Sequence, residues 1–416
     1  MKHLYTFLFF SFLSVAAYAT SVTKNIDVDG QTRKYIVYFP SNYVDTDTLP
    51  LLVFLHPNGF SASEFAETYK MEEVCEMAKS IVLVPEAMDE QSSTIKSLYA
   101  QAQSLGVGFA GMSVTNVWGA GASVKTDELT SKLGSLAPLF SMLYPDLAAA
   151  GKIQFNKDVD DVKFINAMID EMETSYKIDQ DRLFMIGASM GGAMTYKYAY
   201  SDGSKIKGAA VICGFVGAEV DTIGKSLDIP LCVFHSQSDS VVAYDGGMLG
   251  GPIPSTVAAV ASANGCSDYQ LADVADVADD GFKIKTYSYD CDSTKRVLFY
   301  SIDKSAHADF LVSDYTTGPN DIDYYYEVYK FLFGLKIPNA VEDNRSMDEH
   351  IYPNPATDYL HTSLSGHYRI LSQDGMVVKT GVVDGQTISV SDLAPGLYIF
   401  VLENEEGSFV SKISKR

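Results

Sequence analysis

The sequence predicts an α/β fold, in which a mostly parallel sheet is covered by helices on both faces, followed by a separate small β-sandwich. Three observations predict it. From about residue 26 to 333, short and continuously apolar segments alternate with longer ones whose apolar residues recur at helical spacing. Beyond a polar, charged stretch over 338–350, the remaining signals are strands and turns alone. With 416 residues, 47% of them hydrophobic and 20% charged, the chain is long enough for two or three domains and apolar enough for a large core.

The first segment reads as an address. Met1-Lys2-His3 is a short basic start, Leu4 to Val15 is almost continuously apolar, and Ala17-Tyr18-Ala19 offers the small-x-small pattern of a cleavage site. The apolar run is short for a bilayer span, and no stop-transfer charges follow it. Residues 1–19 are therefore expected to be a secretory signal peptide. The remainder is expected to lack a transmembrane segment and to work in an oxidising compartment.

The α/β domain is expected over 20–337. Residues 34–39 are β-rich, and 51–55 form a continuous apolar run of the kind buried on both faces of a sheet. A helix follows over 63–78 and a strand over 81–84. The stretch 86–157 is rich in Gly, Ser and Ala with weak periodicity, and is expected to be a long functional loop region. Val159, Val162, Ile165, Ile169, Met172 and Tyr176 then share a helical face, with Asp158, Asp160 and Asp161 in the first turn. Strands are expected at 183–186, 209–213, 231–234 and 296–300, and helices at 190–200 and 322–333. After a linker over 338–350, Asp374-Gly375 and Pro395-Gly396 mark turns of a β-sandwich over 351–416.

Charge narrows the function. The chain carries 31 Lys and Arg against 53 Asp and Glu, a net −22. Such a surface repels phosphate backbones and excludes a nucleic-acid binder. Asp273, Asp276, Asp279 and Asp280 crowd one segment, but their spacing fits no calcium loop. No metal or organic cofactor is expected.

Gly187-Ala188-Ser189-Met190-Gly191 fits G-x-S-x-G, set between an apolar strand and a helix. That setting is what a nucleophile elbow requires. Small residues at 187 and 191 admit a sharp turn, and the serine oxygen stands at the carboxyl end of the sheet beside a helix N-terminus. Ser189 is the candidate nucleophile, and it needs a base. Of seven histidines, His3 falls in the signal, and His350, His361 and His367 fall in the linker or tail. In a chain of this topology the acid and then the histidine follow the serine, which excludes His56. His235 stands at a strand end and reads as structural. His307 remains, in a loop after the strand 296–300.

The acid belongs in a loop beyond a strand between Ser189 and His307, where it holds the imidazole tautomer. Asp239 meets that description; Asp245 and Asp228 are its rivals. The oxyanion donors are expected to be the N–H groups of Met190 and Asn58, because Pro57 has none to give. His56 is expected to fix that turn.

Together these residues resemble the secreted α/β-hydrolase esterases that include polyhydroxybutyrate depolymerases, feruloyl esterases and acetylxylan esterases. The resemblance runs from about residue 34 to 333. Its motifs are Leu55-His56-Pro57-Asn58-Gly59, Val117-Trp118-Gly119-Ala120-Gly121, the helix from Asp160, the segment Tyr176–Arg182, the elbow itself, and the acid loop Asp239–Tyr244 with Gly246-Gly247. The sequence departs from the family at Pro57, Gly119 and Ser123, and in the residues around His307. The resemblance implies a serine esterase acting through an acyl-enzyme on feruloyl or acetyl esters of plant polysaccharide. A polyhydroxybutyrate depolymerase is the alternative, and a non-catalytic surface or glycan-binding protein that kept the fold is the alternative of another class. It also implies that Trp118 lines the substrate cleft and that Cys266 and Cys291 form a disulfide. Cys75, Cys213 and Cys232 read as small apolar residues.

Tyr352-Pro353-Asn354-Pro355-Ala356, Gly396-Leu397-Tyr398 and the basic end at Lys412, Lys415 and Arg416 resemble the C-terminal sorting domain of type IX secretion. This implies the type IX secretion machinery as a partner and a secreted or cell-surface protein. A carbohydrate-binding β-module is the other physical reading of the tail.

Overall fold

A computed structural model describes residues 19–106, 112–218, 220, 225–276, 280–292, 294–311, 318–319, 321–333, 351–353, 355–362, 364–372, 377–384, 387–404 and 407–416. The expected signal peptide except for Ala19, the expected linker and the expected turn Asp374-Gly375 lie outside them. The chain divides into two compact units, 1–334 and 335–416.

The first unit is built on a ten-stranded sheet. Its strands are β1 (Thr20–Val28), β2 (Gln31–Phe39), β3 (Leu49–Leu55), β4 (Ile81–Pro85), β5 (Ile178–Ala188), β6 (Gly208–Ile212), β7 (Leu231–Ser236), β8 (Tyr269–Val274), β9 (Ile284–Tyr289) and β10 (Val297–Ile302). They lie in the order β1-β2-β4-β3-β5-β6-β7-β10-β9-β8. The six strands from β4 to β10 are parallel, and an antiparallel pair flanks them at each edge. The central runs are apolar without interruption because both faces are covered. Along β3, Leu51, Val53 and Leu55 enter one hydrophobic layer while Leu52 and Phe54 enter the other.

The helices Asp161–Ser175, Met190–Ala199 and Ile253–Ala263 close the first layer with Phe164, Met168, Met194 and Val257. Ala62–Thr68, Met71–Ala78 and Tyr324–Leu332 close the second with Phe65, Val74, Val328 and Phe331. This is the α/β-hydrolase architecture that the resemblance implies.

The structure adds a first strand (β1) and the helix Ile253–Ala263, for which no element was expected, and it differs from the sequence expectation in further stretches. The helix expected over 63–78 is two helices, because Lys70 takes a left-handed conformation (φ 49°) between them. The region 86–157 is not an open loop: it holds the helices Ser93–Ser104, Thr126–Leu133, Ala137–Leu143 and Pro145–Ala150 and a short antiparallel pair of Ser123–Lys125 with Lys152–Gln154. Gly134, Pro145 and Gly151 cut the last three of these helices too short for a periodic signal to build up. Between Cys266 and Cys291, where no regular structure was expected, β8 and β9 form an antiparallel hairpin. Five of the six β8 residues are exposed, so no buried apolar face marks it as part of the sheet.

One buried ion pair fixes the layer beneath the site. Asp161, the first residue of its helix, accepts from Arg33 on β2 at 2.6 Å, and both side chains are buried. Its second oxygen accepts the Gly119 N–H at 2.6 Å. A Cβ on Gly119 would lie 2.5 Å from the carbonyl oxygen of Val159, so only glycine lets this strand of chain approach.

The second unit pairs a three-stranded sheet (Ile351–Tyr352, Tyr359–Thr362, Thr387–Ser389) with a four-stranded one (Ser365–Ser372, Val377–Asp384, Gly396–Asn404, Gly407–Lys415). Ile351, Leu360, Ile370, Ile388, Phe400 and Ile413 form its core.

Asp161→Ala leaves the Arg33 guanidinium buried without its counter-charge. It is expected to destabilise the first unit by about 3–5 kcal/mol, read as a lowered urea midpoint; an unchanged midpoint would show that the pair does not hold this layer.

Candidate active site

β5 ends at Ala188 and the helix begins at Met190, so one residue makes the whole turn. That residue is Ser189, at φ 53° and ψ −117°. A side chain other than glycine in this region is strained by roughly 1–3 kcal/mol, so neighbouring packing must hold it. Its N–H donates to the Ile212 carbonyl of β6 at 2.8 Å. A Cβ at Gly191 would lie 2.1 Å from the carbonyl oxygen of Leu55, and one at Gly187 would lie 2.2 Å from that of Gly191.

Two neighbouring strands deliver the partners. Asp239 follows β7 and His307 follows β10, at the head of a short 3-10 helix His307–Leu311 rather than in an open loop. The Nε2 of His307 lies 2.9 Å from Ser189 Oγ. Its Nδ1 lies 2.7 Å from Asp239 Oδ2. Asp239 Oδ1 is taken up by the N–H groups of Val241 and Val242 at 2.9 and 2.8 Å. All three side chains are buried. Of the rival acids, Asp228 is occupied elsewhere by Lys295.

Burial by itself would raise the Asp239 pKa, yet the hydrogen bond and charge of His307 hold it below the usual carboxylate range. Burial lowers the His307 pKa, but the neighbouring Cys213 and Asp239 outweigh it and raise it above its ordinary 6.5. His235 is fully buried, donates from Nε2 to the Val242 carbonyl at 2.8 Å, and has its pKa lowered chiefly by burial.

The turn after β3 forms the opposite wall. His56 donates from Nδ1 to the Pro57 carbonyl at 2.7 Å and accepts the Ala87 N–H on Nε2 at 3.0 Å. Burial holds it neutral by lowering its pKa to about 4. The Asn58 side chain pairs with both backbone groups of Ser113. Asn58 and Met190 both line the pocket, and among the described residues neither backbone N–H has a hydrogen-bond partner.

Trp118 does not line the pocket. It is fully buried, donates from Nε1 to the His56 carbonyl at 2.9 Å and packs on the His56 ring with centroids 4.8 Å apart. An indole whose single donor is satisfied inside has nothing to draw it to the surface.

A pocket opens above Ser189 and His307, with apolar walls of Pro57, Met112, Phe215, Val241, Leu249 and Leu311. Except for Pro57 in the oxyanion turn and Val241 in the acid loop, these wall residues carry no motif and were not legible in the sequence. Cys213, at φ 44° beyond the end of β6, sits beside His307; a small residue followed by Gly214 at a strand end is its only sequence signal. Cys266 and Cys291 form a disulfide, and Cys75, Cys213 and Cys232 are free and buried. Among the described residues, Asp276, Asp280 and Asp321 each bring one carboxylate oxygen within 4.8 Å of the others. Asp321 is distant in sequence from the acidic segment, and Asp276 already accepts the N–H groups of Asp280 and Gly281.

The probable feruloyl esterase C of Aspergillus niger is 32% identical over 93 residues, which cover 22% of this chain and 34% of that protein. Feruloyl esterase C of Emericella nidulans is 30% identical over a stretch of the same length. The chain thus spans about a third of the length of the curated relatives it matches. Among solved structures, an acetyl xylan esterase from Aspergillus awamori aligns with a TM-score of 0.40 at 12% identity, over 69% of this chain and 94% of that one. A ferulic acid esterase from Anaeromyces mucronatus, bound to ferulic acid, aligns with a TM-score of 0.42 at 11% identity, over 78% and 94%. No helix among the described residues is long and apolar enough to cross a membrane. Residues 350–416 match the family model of the secretion system C-terminal sorting domain, which marks the chain as secreted or carried at the cell surface.

Proposed function

We propose that the chain is a serine carboxylic-ester hydrolase acting on feruloyl or acetyl esters of plant polysaccharide. The observation that carries this reading is the hydrogen-bonded chain Ser189–His307–Asp239, at 2.9 and 2.7 Å, on the floor of an apolar pocket. The names of the curated relatives and the export tail favour an ester that reaches the enzyme outside the cell.

In this mechanism Ser189 Oγ attacks the ester carbonyl as His307 Nε2 takes its proton, forming a tetrahedral oxyanion. The N–H groups of Met190 and Asn58 donate to that oxyanion. His307 returns the proton to the leaving alcohol, and a water activated by the same nitrogen releases the acid from the acyl-enzyme. Asp239, with Oδ1 held by the loop, keeps Oδ2 on Nδ1 and stabilises the imidazolium. The apolar walls take the acyl group and exclude water around the carbonyl.

Ser189→Ala is expected to lower kcat on a short-chain nitrophenyl ester by roughly 10⁴-fold or more; equal rates for the two proteins would end the hydrolase reading.

His307 must be neutral to accept the proton, and its pKa is raised, so kcat/KM is expected to fall as pH drops through a value above 6.5. Asp239→Asn removes one raising partner and should move this acid limb to lower pH while cutting kcat/KM by about 10⁴-fold. A limb that stays in place in the variant would count against the assigned acid.

Across methyl ferulate, acetylated xylan and polyhydroxybutyrate, kcat/KM should be highest on one of the first two. Preference for the polyester would reverse the substrate assignment.

A further inference from the structure

We infer that His235 is a positioning residue for the acid, closing the loop that aims Asp239 at His307; this rests on the hydrolase reading above. His235 is the penultimate residue of β7 and is fully buried. Its Nε2 stands 2.8 Å from the carbonyl oxygen of Val242. A carbonyl only accepts, so Nε2 carries the proton and Nδ1 is bare. Nδ1 is buried and has no hydrogen-bond partner among the described residues. An apolar ring of similar size would avoid that unpaired nitrogen, so packing alone is a poor reason for a histidine here.

The bond at Nε2 supplies a better reason. Residues 236–242 leave the strand, turn and come back, with the Asp239 N–H donating to the Ser236 carbonyl at 3.3 Å. The Val242 N–H holds Asp239 Oδ1 at 2.8 Å, while the carbonyl of the same residue is held by His235. His235 therefore grips the segment whose two N–H groups saturate Oδ1, and this leaves Oδ2 free to face His307 at 2.7 Å. The same Nε2–H lies 3.6 Å from Oδ2, where its dipole favours the ionised carboxylate. The titratable groups that face the ring are Asp239, His307 and Tyr244, the last at 6.2 Å between ring centroids.

The test uses the full chain and a soluble nitrophenyl ester, with kcat, KM, the pH profile and the melting temperature measured for His235→Phe, His235→Asn and His235→Gln. The glutamine amide nitrogen reaches the place of Nε2, whereas the asparagine nitrogen reaches only that of Nδ1. His235→Phe and His235→Asn are expected to lower kcat by roughly 10- to 100-fold with KM within about twofold, and to shift the acid limb to lower pH. His235→Gln should restore most of the rate and the profile. Wild-type kcat and profile in His235→Phe would overturn the inference. So would a glutamine variant that loses as much as the phenylalanine variant at an unchanged melting temperature. If His235→Phe does not fold, the contrast between Gln and Asn decides in the same way. An active wild type with an unaffected His235→Phe sinks this inference alone; a wild type that cleaves no ester sinks the hydrolase reading and this inference with it.

Discussion

At Gly191 an added methyl carbon would sit 2.1 Å from the carbonyl oxygen of Leu55, and at Gly187 one would sit 2.2 Å from that of Gly191. No side chain fits in either place, so the helix that follows Ser189 rests directly on the end of β3. The rest of the site inherits its geometry from this contact. It forces the serine into a conformation that L-residues avoid, and it brings Met190 beside the turn at Asn58. Because the central strands are parallel, the loops after β7 and β10 emerge at the same end of the sheet as Ser189. Asp239 and His307 then need only short segments to reach it.

The apolar layers hold the sheet, but polar atoms hold the loops. Asp161 ties Gly119 to a helix N-terminus, and the Lys197 ammonium takes the Gly119 carbonyl. Glu90 and Asn156, both buried, bind the chain ends of the 86–157 region through backbone groups at 88, 89, 91, 92 and 117. Loops that pass through a protein interior must pair their backbone groups. Here side chains do so where no strand is available, which is why the turn behind the pocket is built from His56, Asn58 and Trp118.

Local signals made the central strands and the elbow legible. A run such as Leu51–Leu55 has no polar residue to disguise it, and a glycine-flanked serine between strand and helix has few other uses. His307 emerges by elimination, and Asp239 from its place beyond a strand. Trp118 shows where such reasoning stops. The family resemblance implies a tryptophan in the substrate cleft, yet its ring and its N–H are both spent on His56. The β8–β9 hairpin escaped for the opposite reason: its outer strand is exposed, and it lies in a segment that the acidic residues after it make look like a loop. The pocket walls, apart from Pro57 and Val241, could not be read at all, because Met112, Phe215, Leu249 and Leu311 come together only through tertiary packing.

Cys75, Cys213 and Cys232 are reduced and sealed in the interior, in a chain whose tail directs it out of the cell. While the fold is closed, no oxidant reaches them and the bridge at 266–291 has no competitor. Once the chain opens outside the cell, five sulfurs become exchangeable at the same time, and mispaired forms outnumber the native one. The working life of this protein is therefore set by how slowly it first unfolds rather than by its equilibrium stability. Its tightly packed sheet is, in that sense, a seal on its own redox chemistry.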